Sequence, residues 1–128
     1  MSLKQSSTSP AISGSLKEDF PDCWHRERDR SCLRIELNSG EAFIFPYQQF
    51  LGAHHLRCTD PETLKISFST HVVTLSGRGL SEIALALQDI AVAWIKPVES
   101  RYRIVPEGER ALVTGIEVKL PNDDQLTA

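Results

Sequence analysis

Residues 64–97 read LKISFSTHVVTLSGRGLSEIALALQDIAVAWIKP, and the change of period within them decides the fold. Leu64, Ile66 and Phe68 alternate with Lys65, Ser67 and Ser69, the period-two pattern of a half-buried strand. His71–Ser76 resumes it, with Val73 and Leu75 against Thr74 and Ser76, while Val72 falls on the polar side. Ser69-Thr70 between the runs marks a tight turn or a bulge. After Gly77-Arg78-Gly79 the period turns helical. Leu80, Ile83, Ala84 and Leu87 follow the i, i+3, i+4, i+7 rule and predict a helix over 80–90. Ser81 stands where a cap is expected. Asp89 lies at the end where the macrodipole favours a cation, so this short helix must draw its stability from packing. Ala91–Lys96 then reads as a buried strand stopped by Pro97.

The flanks extend the β pattern. Leu33, Ile35 and Leu37 oppose Arg34, Glu36 and Asn38, and Asn38-Ser39-Gly40 signals a hairpin turn. In the following EAFIFPYQ, residues 41–48, Phe43, Phe45 and Tyr47 alternate with Ala42, Ile44 and Pro46. Both faces are apolar, which predicts a strand covered on two sides, with Pro46 at an edge or an end. Phe50–Cys58, broken by Gly52, reads as a third short strand or an irregular segment, and Asp60-Pro61 is a break. Tyr102–Val105 predicts a short strand and Pro106–Glu109 a turn. Leu112, Thr114, Ile116, Val118 and Leu120 are expected on one face of a last strand, against Val113, Gly115, Glu117 and Lys119. One short helix against five to seven strands gives a β-rich α+β class: a small antiparallel sheet, roll or barrel. A parallel α/β fold needs repeated helical crossovers, and only one helix is legible.

The 128 residues suffice for one domain, and 41% hydrophobic residues suffice for its core. Residues 1–15, rich in Ser and Thr, are expected as a flexible tail. Residues 16–30 form a charged, partly ordered lead-in, anchored by Phe20 and Trp24. Residues 31–120 form a single globular domain, and 121–128 a second flexible tail. Fourteen Lys and Arg against 17 Asp and Glu give a net charge of −3, which argues against a general nucleic-acid coat. The run His25–Arg30 alternates in sign, as a solvated face does. No apolar run approaches the length of a membrane span or a secretory signal, so a cytoplasmic protein with no membrane partner is expected. Cys23, Cys32 and Cys58 are odd in number and contain no Cys-x-x-Cys pair, which predicts free thiols.

Candidate chemistry is sparse. His54, His55, Cys58 and His71 are the metal-capable cluster, but strand neighbours point to opposite faces, and the spacing lacks the compact pairs of a closed zinc site. No metal or other cofactor is expected. Gly77-Arg78-Gly79 before a helix could hold a phosphate on backbone N–H groups, with Arg78 assisting and Tyr47 as a stacking surface. The same glycines serve a tight strand-to-helix turn. No nucleophile elbow, zinc-helix motif or nucleotide loop occurs, and the carboxylates are scattered. Phe43, Phe45 and Trp94 are the candidate interface.

Leu37-Asn38-Ser39-Gly40, followed by Phe43, Phe45 and Phe50, is similar to the first signature of Sm-like small barrels. That resemblance covers only about twenty residues, and apolar strands around a turn explain it equally well. It implies ring assembly and binding of RNA or a small ligand, with arginines such as Arg34, Arg57, Arg78, Arg101 and Arg103 gathered beside Tyr47 or Tyr102. The chain departs from it where Tyr47-Gln48-Gln49 replaces the expected aspartate, and in the helix between the later strands. The residues themselves favour a non-catalytic module that acts as a homo-oligomer or on a protein partner.

Overall fold

The computed structural model describes residues 22–98 and 111–121. The expected tails, the strand over 102–105 and the turn over 106–109 lie outside the described residues. The described elements are β1 (Trp24–Arg26), β2 (Cys32–Glu36), β3 (Ala42–Pro46), a 3-10 turn (Tyr47–Gln49), β4 (Phe50–Leu56), β5 (Glu62–Phe68), β6 (Val72–Arg78), α1 (Ser81–Gln88), β7 (Val92–Ile95) and β8 (Leu112–Lys119). They form two four-stranded sheets, in the orders β1-β7-β2-β3 and β4-β5-β6-β8. The β-rich α+β class holds, with eight strands among the described residues where five to seven were expected. Trp24–Arg26, placed by sequence in the charged lead-in, contributes β1, which pairs antiparallel with β7. Phe50–Leu56 resolves as β4. All pairings are antiparallel except β2 with β7.

Alternation turns directly into layers. Leu33 and Ile35 of β2, Phe45 of β3 and Ile95 of β7 point inward from the first sheet; Leu64, Ile66, Phe68, Val73 and Leu75 do so from the second. Ile83, Ala86 and Leu87 of α1 join the same core, which contains no buried polar or charged residue among those described. Burying each such side chain is worth about 1.5–3 kcal/mol, so the shared core and not local propensity holds the sheets together. Two expectations change here. Ile44 of β3 is 66% exposed, so that strand is covered on one side only. On β8, Val113 is fully buried where Thr114 was expected to face inward. The register slips between Ser76 and Gly77, which pair with Gly115 and Val113, and this bulge exchanges the faces of the strand.

The helix ends two residues before its expected limit. Ala91 N–H donates to the Ala86 carbonyl and Ile90 N–H to the Leu87 carbonyl, the paired bonds of a Schellman stop. Ile90 takes φ +53° to make it, a conformation that a β-branched residue adopts only under strain. Asp89, unfavourable beside the helix C-terminus, is met by Arg26 at 2.8 Å. Among the described residues, no helix is long and apolar enough to cross a membrane. Ile90→Gly is expected to change stability by less than about 1 kcal/mol, because the left-handed penalty it relieves is offset by the burial lost from a side chain only 37% exposed. The urea midpoint of the variant measures this.

Candidate functional site

The strand-to-helix turn is built around Glu62, the first residue of β5. Its carboxylate accepts from the backbone N–H of Gly79 at 2.9 Å and of Leu80 at 3.2 Å, and lies 2.9 Å from His55 Nε2. β4 brings His55 there because it pairs with Leu64 on β5, on the inward face, leaving His54 on the opposite face with Lys65. Burial pushes the Glu62 carboxyl up, but Gly79, His55 and Leu80 outweigh it and hold the group below its usual range. The two N–H groups considered for a phosphate therefore already hold an anion supplied by the chain. Ser81 makes no side-chain cap, and the residue entering the helix is Leu80.

The glycines have separate reasons to be there. Gly79 takes φ +65°. Gly77 lies so close to β8 that a Cβ would collide with the Leu112 carbonyl oxygen. Arg78 ends β6 opposite Leu112 and is exposed. Tyr47 is not a free stacking surface. Its hydroxyl donates to the Val92 carbonyl at 2.6 Å and accepts from the Val92 N–H at 3.1 Å. Burial, partly offset by the Val92 N–H that donates to the phenol oxygen, pushes its pKa up to about 12. It braces the turn after β3 against β7.

His55 and His71 do not meet. His55 lies beside Leu64, while His71 follows Phe68, four residues and roughly 13 Å further along the sheet. The His71 ring tilts against Phe43 and Phe45 at 5.7 and 5.4 Å, with Nδ1 2.9 Å from the Thr70 hydroxyl. Cys58 is exposed, Cys32 half-buried, and Cys23 buried with Sγ against the Ala111 carbonyl; all three are free thiols. Among the described residues, no three His, Cys, Asp or Glu side chains gather as metal ligands.

The interface candidates separate. Phe45 is core, stacked on Phe68 at 4.4 Å, and Phe43 packs beside it. Trp94 is half-buried and faces outward. Its strand neighbours are His25 on β1 and Arg34 on β2, and Arg34 is in turn opposite Ile44 on β3. His25, Trp94, Arg34 and Ile44 thus form one row across all four strands of the first sheet. The His25 ring stacks on Trp94 at 6.1 Å, and Lys96 Nζ lies 5.2 Å from the indole centre. Sequence reasoning missed Ile44, whose exposure follows only once the face opposite Phe45 is known to carry no covering layer. It also missed Glu62, whose contacts span 17 residues along the chain.

No protein-family model, curated protein or solved structure matches the chain. The resemblance to Sm-like barrels accordingly rests on that one short stretch of sequence alone.

Two outcomes are expected. Glu62→Gln should cost about 1–2 kcal/mol, the scale of a charged hydrogen-bond acceptor lost from a partly buried turn. Because the folded state lowers this carboxyl's pKa, its contribution is complete above the unfolded-state value and disappears as pH falls through the folded one. The stability of the parent chain should therefore fall more steeply than that of the variant below about pH 5, measured by urea unfolding across the acid range. Gly77→Ala should cost about 3 kcal/mol, since backbone and not a flexible side chain must give way; thermal unfolding measures it.

Proposed function

We propose that this chain is a non-catalytic β-rich module that acts by self-association or by protein binding. The observation that carries the reading is the outward row His25–Trp94–Arg34–Ile44, a mixed aromatic, cationic and aliphatic strip in which His25, Arg34 and Ile44 are exposed and Trp94 is half-buried. Aromatic and arginine side chains surrounded by polar neighbours are the composition that protein interfaces favour. The titratable groups that could have supported catalysis support the reading in another way. Glu62 and His55 are committed to a turn, and His71 to an aromatic cluster. The alternative, a barrel binding RNA or a small ligand, draws on the adjacency of Arg34 and Trp94. It is weakened by Arg78, which ends a strand of the other sheet, and by the ion pair that Arg34 makes with Glu36 at 2.8 Å.

Light scattering over a dilution series tests the reading. A mass above the 14.3 kDa of one chain that falls toward it on dilution is expected. A constant single-chain mass at all concentrations overturns self-association, and retention on an RNA oligomer at low salt favours the alternative.

A further inference from the structure

We infer that β3 is the self-association edge, pairing antiparallel with the β3 of a second copy, with Ile44 set against Ile44 across a twofold axis. The inference rests on the reading above that the chain self-associates, and names the surface. Among the described strands, β3 closes one end of the first sheet, and Ala42 and Ile44 are exposed. Tyr47 N–H donates to the Ser31 carbonyl, and Leu37 N–H to the Glu41 carbonyl. With the register Leu33↔Phe45 and Ile35↔Phe43 between them, the odd-numbered residues of this strand spend their backbone groups on β2. The N–H and C=O of Ala42 and Ile44 therefore point away from the sheet. Pro46 has the same phase, and its missing N–H is a donor that β2 does not need.

Solitary edges are ordinarily protected by charge, shortness, bulges or cover. The other three edge strands show such devices. β1 has three residues and carries His25 and Arg26. β4 is bulged between Phe50 and Gly52 and carries His54 and His55. β8 carries Glu117 and Lys119. β3 reads AFIFP: Pro46 blunts its last position, but no residue along it is charged and its central Ile44 is exposed. The occupant that such an edge fits is an equally uncharged edge strand; the other uncharged strand, β7, is paired on both sides, which leaves β3 of a second copy. Centring the axis on Ile44 pairs all five residues, Ala42 with Pro46 and Phe43 with Phe45. It makes about four backbone hydrogen bonds and opposes no like charges. Moving the axis to Phe43 pairs only Ala42 to Ile44 and sets Ile44 against Ala42, losing the apolar contact.

A charge swap tests this on the full chain. Ile44→Glu sets a carboxylate opposite Arg34 within one copy but two carboxylates together across the axis. Ile44→Arg sets two guanidinium groups there. Each variant alone is expected to dissociate at least tenfold more readily than the parent chain, and an equimolar mixture of the two to regain association, read by light scattering. Leu85→Lys, at an exposed apolar site on α1, should leave the dimer unchanged. Amide hydrogen exchange gives a readout that needs no variant. In the parent dimer the Ala42 and Ile44 N–H groups should be protected, and dilution to monomer should release them while Phe43 and Phe45 stay protected. A parent chain that dimerises with Ala42 and Ile44 exchanging freely overturns the edge assignment and leaves self-association standing. Mixed variants that remain monomeric overturn the Ile44 register. A parent chain that never dimerises overturns both.

Discussion

The Phe45 ring lies on the Phe68 ring at 4.4 Å and 13°, and through that contact the first sheet rests on the second. Neither sheet could persist alone, because each carries one apolar face that water would otherwise meet. An aromatic pair of this kind adds about 0.5–1.5 kcal/mol beyond the area it buries. Its position matters more than its energy. Phe45 is the penultimate residue of β3, immediately before the chain turns through Tyr47–Gln49 into β4. Phe50 and His71 close around the same pair, and the Ser69 N–H reaches back to the Gln49 carbonyl. The crossing from one sheet to the other is thus fixed at the point where the two cores join, and the fully buried helix residues Ile83 and Ala86 complete that core.

Much of this body was legible because alternation reports burial directly. Leu33 and Ile35, then Leu64, Ile66 and Phe68, and Val73 with Leu75 all face inward as their spacing predicts. What period alone could not report is pairing. Trp24-His25-Arg26 looks like part of a solvated charge run, and its strand identity comes from β7, some seventy residues away in sequence. The outward face of β3 looks apolar enough to be covered, yet coverage depends on whether another layer lies above it. The bulge opposite Gly77 exchanges Val113 for Thr114 in the core, and a local pattern cannot count a residue that its partner strand omits.

The site followed the same division. Gly77-Arg78-Gly79 was recognisable as a turn or an anion cradle, and the choice between them depended on a residue outside the motif. Glu62 supplies the anion from within the chain. A carboxylate already bound to both N–H groups must be displaced before a phosphate could enter, so any affinity is reduced by the free energy of that internal contact. The histidines illustrate the complementary case. Their chemical capacity was evident from the sequence, but strand geometry directs His54 away from His55 and sets His71 at the other end of the neighbouring strand. Chemistry that requires convergence is a property of topology.

The same reasoning bears on why the module's outward features lie on its first sheet. One outer row of the second sheet carries Lys65, Thr74 and Glu117 in register, alternating charge and hydroxyl, and that sheet's exposed large apolar side chains, Leu51 and Leu56, lie on its edge strand β4. The first sheet's outer row carries Trp94 and Ile44 instead, with Arg34 between them. The inward faces of both sheets are equally apolar, so folding does not require this asymmetry. A sheet whose outer face contributed only solvation would gain by replacing Ile44, whose exposed side chain adds nothing to the core. Its place on an uncharged edge strand, next to the Phe45 that stacks on Phe68, would offer an ordered strand to the partner proposed above. Preorganisation lowers the ordering cost of association, so a short edge can pair without a large interface.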